Sequence, residues 1–349
     1  MGEGNAKTVL VTGGSGYLGG WCIVELLERG YHVRTTVRNP GRERDVRAAV
    51  GSQTDAHRHL SVHSADLTSD EHWGHVIEGC DYVLHVASPL PTSQPKDPDE
   101  LIVPARDGTL RVLRAALEAG VDRVVVTSSV AAIRGGNEGL GRPLDEMVWT
   151  DLSTPGLTPY VRSKTIAERA AWDLGAERGM RGRVATVNPG VIVGPLLSDD
   201  RSASLQTIER LLNGMPAMPR LGFSFVDVRD VVDLQIRAMT AVEAGGERFI
   251  AMTKFLWMAE VAEILRKRLG SAAHKVPTRT APDLLVRGMA LFDSGIRSFT
   301  GSLGKRTDYD TSKARERLGW SPRPIEDTIA ETAESLMERG VVDAPAPAA

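Results

Sequence analysis

Residues 8–19 read TVLVTGGSGYLG, and few folds accommodate that order of residues. Val9, Leu10, Val11 and Thr12 are apolar or β-branched, the composition of a short buried strand. Glycines at 13, 14, 16 and 19 follow at once, and from Tyr17 to Arg29 the pattern turns helical. Strand, glycine turn and helix in that order place a helix N-terminus, with free N–H groups and a positive dipole end, beyond the strand. Such an end holds a pyrophosphate. Gly13 permits the tight turn, Gly16 lets backbone approach the phosphates, and Gly19 lets the helix pack close to the strand. Ser15, Tyr17 and Leu18 belong to the same turn and are expected at the ligand. An ordinary glycine-rich turn shares the composition. It does not share the placement between a clean strand and a clean helix, so a bound dinucleotide is the expectation.

A chain of 349 residues suffices for a large α/β unit with an added lobe. Its net charge of −3 gives no case for nucleic acid or a membrane surface as partner. No apolar run approaches a membrane span. Residues 1–7 lack the apolar core of a signal peptide. Cys22 and Cys80 are isolated and stand at no metal-ligand spacing, which suits a reduced, cytoplasmic protein.

Further strands are expected at His32–Val37, Leu60–His63, Asp81–Val86, Asp122–Thr127 and Val184–Asn188. Helices fall between them, including one from about Pro104 to Ala119 and one from Tyr160 to Trp172. That alternation predicts an α/β fold, a doubly wound parallel sheet of Rossmann type with ligands at the strands' carboxyl ends. Residues 1–190 form the cofactor domain, and 226–250 rejoin it. A smaller, interleaved C-terminal substrate lobe comprises 191–225 and 251–340, with a helix over Pro282–Ser298. Residues 341–349 form a disordered tail.

The residues suited to chemistry are Ser128-Ser129 at the end of the fifth strand, Tyr160 and Lys164. Tyr160 and Lys164 stand four apart on a helix and share one face. A lysine beside a tyrosine lowers the phenol pKa from about 10 and makes a general acid usable near neutral pH. A serine hydroxyl steadies a carbonyl oxygen as the proton arrives. Tyr and Lys at this spacing are commonplace on helix surfaces. Here they follow a dinucleotide turn and a serine at a strand end.

These segments carry a resemblance. TGGSGYLG, ADL at 65–67, HVASP at 85–89, TSSV at 127–130, YVRSK at 160–164 and NPGVIVGP at 188–195 resemble the extended short-chain dehydrogenase/reductases. Within them the chain looks most like the dihydroflavonol reductase/cinnamoyl-CoA reductase group and its microbial aldehyde and ketone reductases. The likeness runs from residue 8 to about 195 and continues more loosely through FVDVRDVV and DTSKARERLGW. It implies a catalytic set of Ser129, Tyr160 and Lys164, with Ser128 the adjacent alternative. Tyr160 would donate a proton while hydride passes to a substrate carbonyl, and Lys164 would bind the nicotinamide ribose. Asp66 and Leu67 would contact adenine, and Ala87 and Ser88 the ribose side. Pro189, Gly190, Val191 and Ile192 would line the nicotinamide, with Val86, Thr127 and Ser128 at adjoining strand ends. The resemblance leaves monomer and homodimer open, a dimer forming through helices 104–119 and 158–175.

Cofactor choice follows from the second strand. An NAD site ends that strand with an acid for the ribose 2′-OH. Here the strand ends in Arg38, which suits the 2′-phosphate of NADPH or NADP+, with Arg42 or Arg44 as a second cation. His85 reads as a packed histidine rather than a base. His57, His59 and His63 lack the partners of a metal site, and no metal is assigned. The small-molecule carbonyl substrate meets walls from Leu90–Ser93, Ala131–Arg134, Val193–Leu197 and Phe223–Phe225. Leu90, Ser129, Ala131, Ile133, Val193, Leu197 and Phe223 are the named lining residues. They predict a hydrophobic ketone or aldehyde, with Arg134 and Arg201 able to meet an anion. Two alternatives remain. A nucleotide-sugar epimerase with tightly bound NAD would favour an acid where Arg38 stands. A non-catalytic NADPH sensor would dispense with Tyr160 or Lys164.

Overall fold

The computed structural model describes residues 6–55, 59–89, 97–138, 140–199, 202–291 and 300–342. Leu90, His57, Arg201, residues 343–349 and the helix expected beyond Leu291 lie outside them. A seven-stranded sheet runs in the order β3-β2-β1-β4-β5-β6-β9. Its strands are β1 (Thr8–Val11), β2 (His32–Val37), β3 (Leu60–Ser64), β4 (Tyr82–His85), β5 (Arg123–Thr127), β6 (Val184–Pro189) and β9 (Arg248–Ala251). Every pairing is parallel. Parallel strands covered on both faces are largely apolar, and Val9, Leu10, Val83, Leu84, Val124, Val125 and Val187 are fully buried.

One face of the sheet is covered by α1 (Tyr17–Glu28) and α8 (Val228–Thr240). Ile23, Val24 and Leu26 of the first pack with Val231, Val232 and Leu234 of the second. The other face is covered by α4 (Asp99–Glu118) and α6 (Pro159–Glu177), where Val112, Leu113, Ala171 and Trp172 form a second core. Each such side chain contributes roughly 1.5–3 kcal/mol by leaving water. Helix α4 begins five residues before the proline expected to start it. Pro98 is its N-cap, Asp99 and Glu100 complement the dipole, and Pro104 sits inside.

A three-stranded sheet lies beside the first. Its central strand β8 (Gly222–Asp227) pairs parallel with β7 (Val191–Val193) and antiparallel with β10 (Lys254–Trp257). Helices α7 (Gln206–Asn213) and α9 (Met258–Leu269) and the helix Ile325–Glu338 share a core with it. The chain leaves the large sheet after β6, returns as α8 and β9, and leaves again. Asp227, fully buried, closes the junction by accepting from Arg229 Nη2 at 2.6 Å and Thr328 Oγ1 at 2.9 Å.

Candidate active site

Strand order reverses between β1 and β4, so their carboxyl ends splay apart and open a crevice. The Thr12 hydroxyl ties the two ends together. Its oxygen accepts from the Val86 and Ala87 backbones, both at 3.0 Å, and its one proton therefore goes to His85 Nδ1, also at 3.0 Å. His85 is thus neutral, with its proton on Nε2. Burial and the nearby Lys164 charge push its pKa down to about 3, and it serves as packing.

The glycine turn is shaped by contact as much as by conformation. Gly13 has φ +74°, and a Cβ there would stand 3.0 Å from Ala87 Cβ. A Cβ on Gly19 would meet Gly13 O at 2.3 Å. Gly14, to which sequence reasoning gave no task, is as tight, at 2.2 Å from Thr35 Oγ1. Gly16 is the N-cap of α1 and has no side chain to cap it, and the first turn contains no acid. The N–H groups of this helix end are left for an anion. Arg42, Asp45, Leu197 and Ser198 flank the cleft beside Gly14, Ser15 and Gly16. Leu18 is buried in the core, whereas Tyr17 is half-buried and packs against both cores while also lining the cleft.

Beyond β2, Arg38 is exposed and makes no hydrogen bond or ion pair with a described residue. Its charge helps hold Asp66 below the usual carboxylate range, although the Thr68 hydrogen bonds do most of that. Arg42, by contrast, is paired with Asp45 at 2.8 Å. Arg111 donates to the Leu67 carbonyl and fixes the loop after β3.

Helix α6 is capped by Thr158, whose hydroxyl accepts from the Val161 N–H at 3.3 Å, with Pro159 at its first position. Tyr160 then falls in the first turn, facing the end of β5. The Ser129 hydroxyl lies near enough to Tyr160 to lower its pKa, as does the Arg134 charge. Burial outweighs both, leaving the phenol above its ordinary value. Burial, the Ser129 hydroxyl and the Arg134 charge are the causes that set Tyr160 in the protein alone, and Lys164 is not one of them. The ammonium's charge is felt instead by His85 and is itself supported by Glu168. Burial lowers Lys164 from 10.5 to about 8, and among the described residues it has no hydrogen-bond partner.

Ser128 and Ser129 separate cleanly. Successive residues of an extended chain face opposite ways, so Ser129 meets Tyr160 while Ser128 donates to the buried Glu168 carboxylate. Thr127 accepts from Gln235 Nε2 at 2.7 Å. The Ser128 hydroxyl is thus committed to Glu168, whereas half-buried Thr127 keeps its own proton. Val86, Ala87, Ser88, Gly190, Val191 and Ile192 remain partly accessible, whereas Pro189 is buried.

Three expected substrate contacts stand elsewhere. Ile133, on α5 (Ala131–Arg134), is fully buried with Leu144, Ile250, Met252 and Tyr309, because a one-turn helix directs that residue inward. Val193 is fully buried in the lobe core. Leu197 lies over the glycine turn, because Trp21 Nε1 donates to Pro195 O at 2.9 Å and straps that loop to α1. Ala131 is buried beside Ser129, its N–H donating to Ser129 Oγ at 3.1 Å. Phe223 stays half-buried at the lobe edge, edge-on to Phe225.

Sequence reasoning missed Glu168 and Arg248. Glu168 follows Tyr160 and Lys164 at the same four-residue step, a signal that was available. Arg248 carried none, since its partner lies on another element.

This strand order, with Ser129, Tyr160 and Lys164 gathered at the crevice, defines the extended short-chain dehydrogenase/reductase class. Residues 9–251 match the NAD dependent epimerase/dehydratase family, and the chain belongs to it as an oxidoreductase. It is 34% identical over 347 residues to cinnamoyl-CoA reductase 2 of Arabidopsis thaliana, covering 98% of this chain and 96% of the relative. Among solved structures it superposes on the yeast methylglyoxal/isovaleraldehyde reductase Gre2 complexed with NADPH. There the TM-score is 0.81 at 23% identity, with 96% of this chain and 99% of that one covered. Vestitone reductase from alfalfa gives a TM-score of 0.74 at 26% identity, with 96% and 99% covered.

Proposed function

We propose that this protein is an NADPH-dependent reductase of a hydrophobic aldehyde or ketone, with Tyr160 as proton donor. The observation that carries the reading is the meeting of the Ser129 and Tyr160 hydroxyls, set one helical turn from an ammonium that has no hydrogen-bond partner among the described residues. The residues present fit the cofactor. The uncapped α1 N-terminus receives a pyrophosphate, and Arg38, unpaired beside Asp66, receives a 2′-phosphate. When bound, NADPH supplies the hydride that the carbonyl carbon accepts.

The chain's own residues do the rest. Lys164 holds ribose hydroxyls, Ser129 Oγ donates to the carbonyl oxygen, and the Tyr160 hydroxyl delivers the proton that completes the alcohol. In the protein alone Tyr160 is held above its ordinary pKa, so it enters the reaction protonated. The reverse oxidation runs through the same groups. Half-buried Phe223 at the lobe edge supports an apolar substrate, and the exposed Arg134 charge near Tyr160 allows one with an acidic tail.

The test is a spectrophotometric panel of apolar aldehydes, ketones and aromatic coenzyme A thioesters with NADPH and with NADH, beside a UDP-sugar control. Consumption of NADPH with a carbonyl substrate is expected. Interconversion of sugar epimers without net cofactor consumption would overturn the reductase reading.

A further inference from the structure

Among the described residues, the most heavily bonded side chain lies behind Ser129, Tyr160 and Lys164 rather than among them. Glu168 is 1% exposed, on the same face of α6 as Tyr160 and Lys164. One carboxylate oxygen accepts from Ser128 Oγ and from Asn188 Nδ2 at 2.7 Å. The other accepts from Arg248 Nε at 2.7 Å, Thr186 Oγ1 at 2.9 Å and Trp172 Nε1 at 3.4 Å. These donors come from the end of β5, from β6, from β9 and from α6 itself. Arg248, 7% exposed, passes the connection on by donating to Glu146 O at 2.7 Å and Val148 O at 2.9 Å while stacking 3.7 Å over Trp149.

A buried ion pair is weak evidence of stabilisation, because desolvation offsets the attraction. What this one does is geometric. The Asn188 amide that donates to Glu168 also donates to Ser129 O at 3.2 Å. Glu168 therefore grips the strand end on both sides of the Ser128–Ser129 peptide, while its own helix carries Tyr160 and Lys164.

We infer that Glu168, charge-balanced by Arg248, is a positioning residue that sets the catalytic serine against the tyrosine and lysine of α6. Its charge also acts on Lys164, which it helps keep protonated against burial. The inference rests on the reductase reading only where turnover is measured.

Two variants test it. Glu168→Gln keeps the shape and removes the charge. Ser128→Ala cuts only the tie to the strand end and leaves the ion pair intact, so it decides the matter even where Glu168→Gln does not fold. For Ser128→Ala we expect kcat to fall about tenfold or more with KM and NADPH affinity, read by fluorescence, little changed. Amide exchange over Ser129–Ala131 should quicken about tenfold, a readout that needs no substrate. For Glu168→Gln the high-pH limb of kcat/KM should move to lower pH, because Lys164 loses the charge that supports its proton. A fall in melting temperature with kcat, KM and that limb unmoved would reduce Glu168 to a structural role. Unchanged exchange and kcat in Ser128→Ala would overturn the inference. A wild-type protein that reduces no carbonyl would sink the reductase reading alone, since exchange and cofactor affinity still judge the positioning.

Discussion

Lys164 is an expensive residue to bury. Its drop from 10.5 to about 8 means that the folded chain holds this proton less tightly than the unfolded chain. The unfolded state binds more protons between those values, so Lys164's contribution to stability rises as pH climbs through 8 toward 10.5 and is unfavourable at neutrality. Lys164→Met should therefore raise the melting temperature at pH 7, by up to about 3 kcal/mol in stability, while NADPH affinity and turnover collapse. A destabilised methionine variant would contradict this. Tyr160→Phe should leave NADPH binding intact and lower kcat by about 10²- to 10⁴-fold, measured by NADPH consumption. Arg38→Asp should swing preference from NADPH toward NADH by about tenfold or more in kcat/KM. Unchanged preference would remove Arg38 from the 2′ position. At this scale the sequence was legible where partners share one element. Tyr160 and Lys164 declare their common face through helical spacing. Apart from Trp172 one turn along, Glu168's donors are spread over three strands or their ends, and no spacing along the chain announces them.

Elements were legible in proportion to how strongly burial constrains them. β1, β4 and β5 are covered on both faces and each carries a run of three apolar residues, while β6 keeps two polar residues, Thr186 and Asn188, that Glu168 satisfies. Ile133 and Val193 went astray for the converse reason. They were chosen for nearness to the site along the chain, but a single turn of helix or one strand step decides which neighbour faces inward. Pro104 misled as a helix start because α4 tolerates it in its second turn. The glycine turn gives the sharpest test of element-level packing. A Cβ at Gly19 would stand 2.3 Å from Gly13 O, a backbone atom that cannot swing aside. Gly19→Ala should cost about 2–4 kcal/mol and abolish NADPH binding. Gly30 has φ +81° but nothing within 4 Å, so Gly30→Ala should cost only about 1–2 kcal/mol and leave affinity alone. Thermal denaturation and fluorescence titration of both variants check the contrast.

At the scale of the whole molecule, buried charge gathers at the junction of the two sheets, where Asp227 and Asp230 meet Arg229 and Arg323. Asp230 is raised from 3.8 to about 6 because burial outweighs the N–H and guanidinium of Arg323. A raised carboxyl contributes stability below 3.8 and loses it as pH rises through about 6. The melting temperature of Asp230→Asn relative to wild type should thus improve between those values and level off above them. A flat difference across that window would count against the assignment. The composition of the chain told nothing of this junction, because Asp227, Arg229, Arg323 and Thr328 meet only after the last helix has folded back.

The return of the chain to the large sheet has a consequence for inheritance. Because β9 completes that sheet beside β6 after β7 and β8 have left it, no single cut divides this protein into a cofactor half and a substrate half. Crossing two relatives at residue 190 would give each hybrid a mismatched β6–β9 seam. An exchange that keeps the β6–β9 seam intact therefore needs two crossover points, one on each side of an internal segment, and leaves the glycine turn with the sheet it came in.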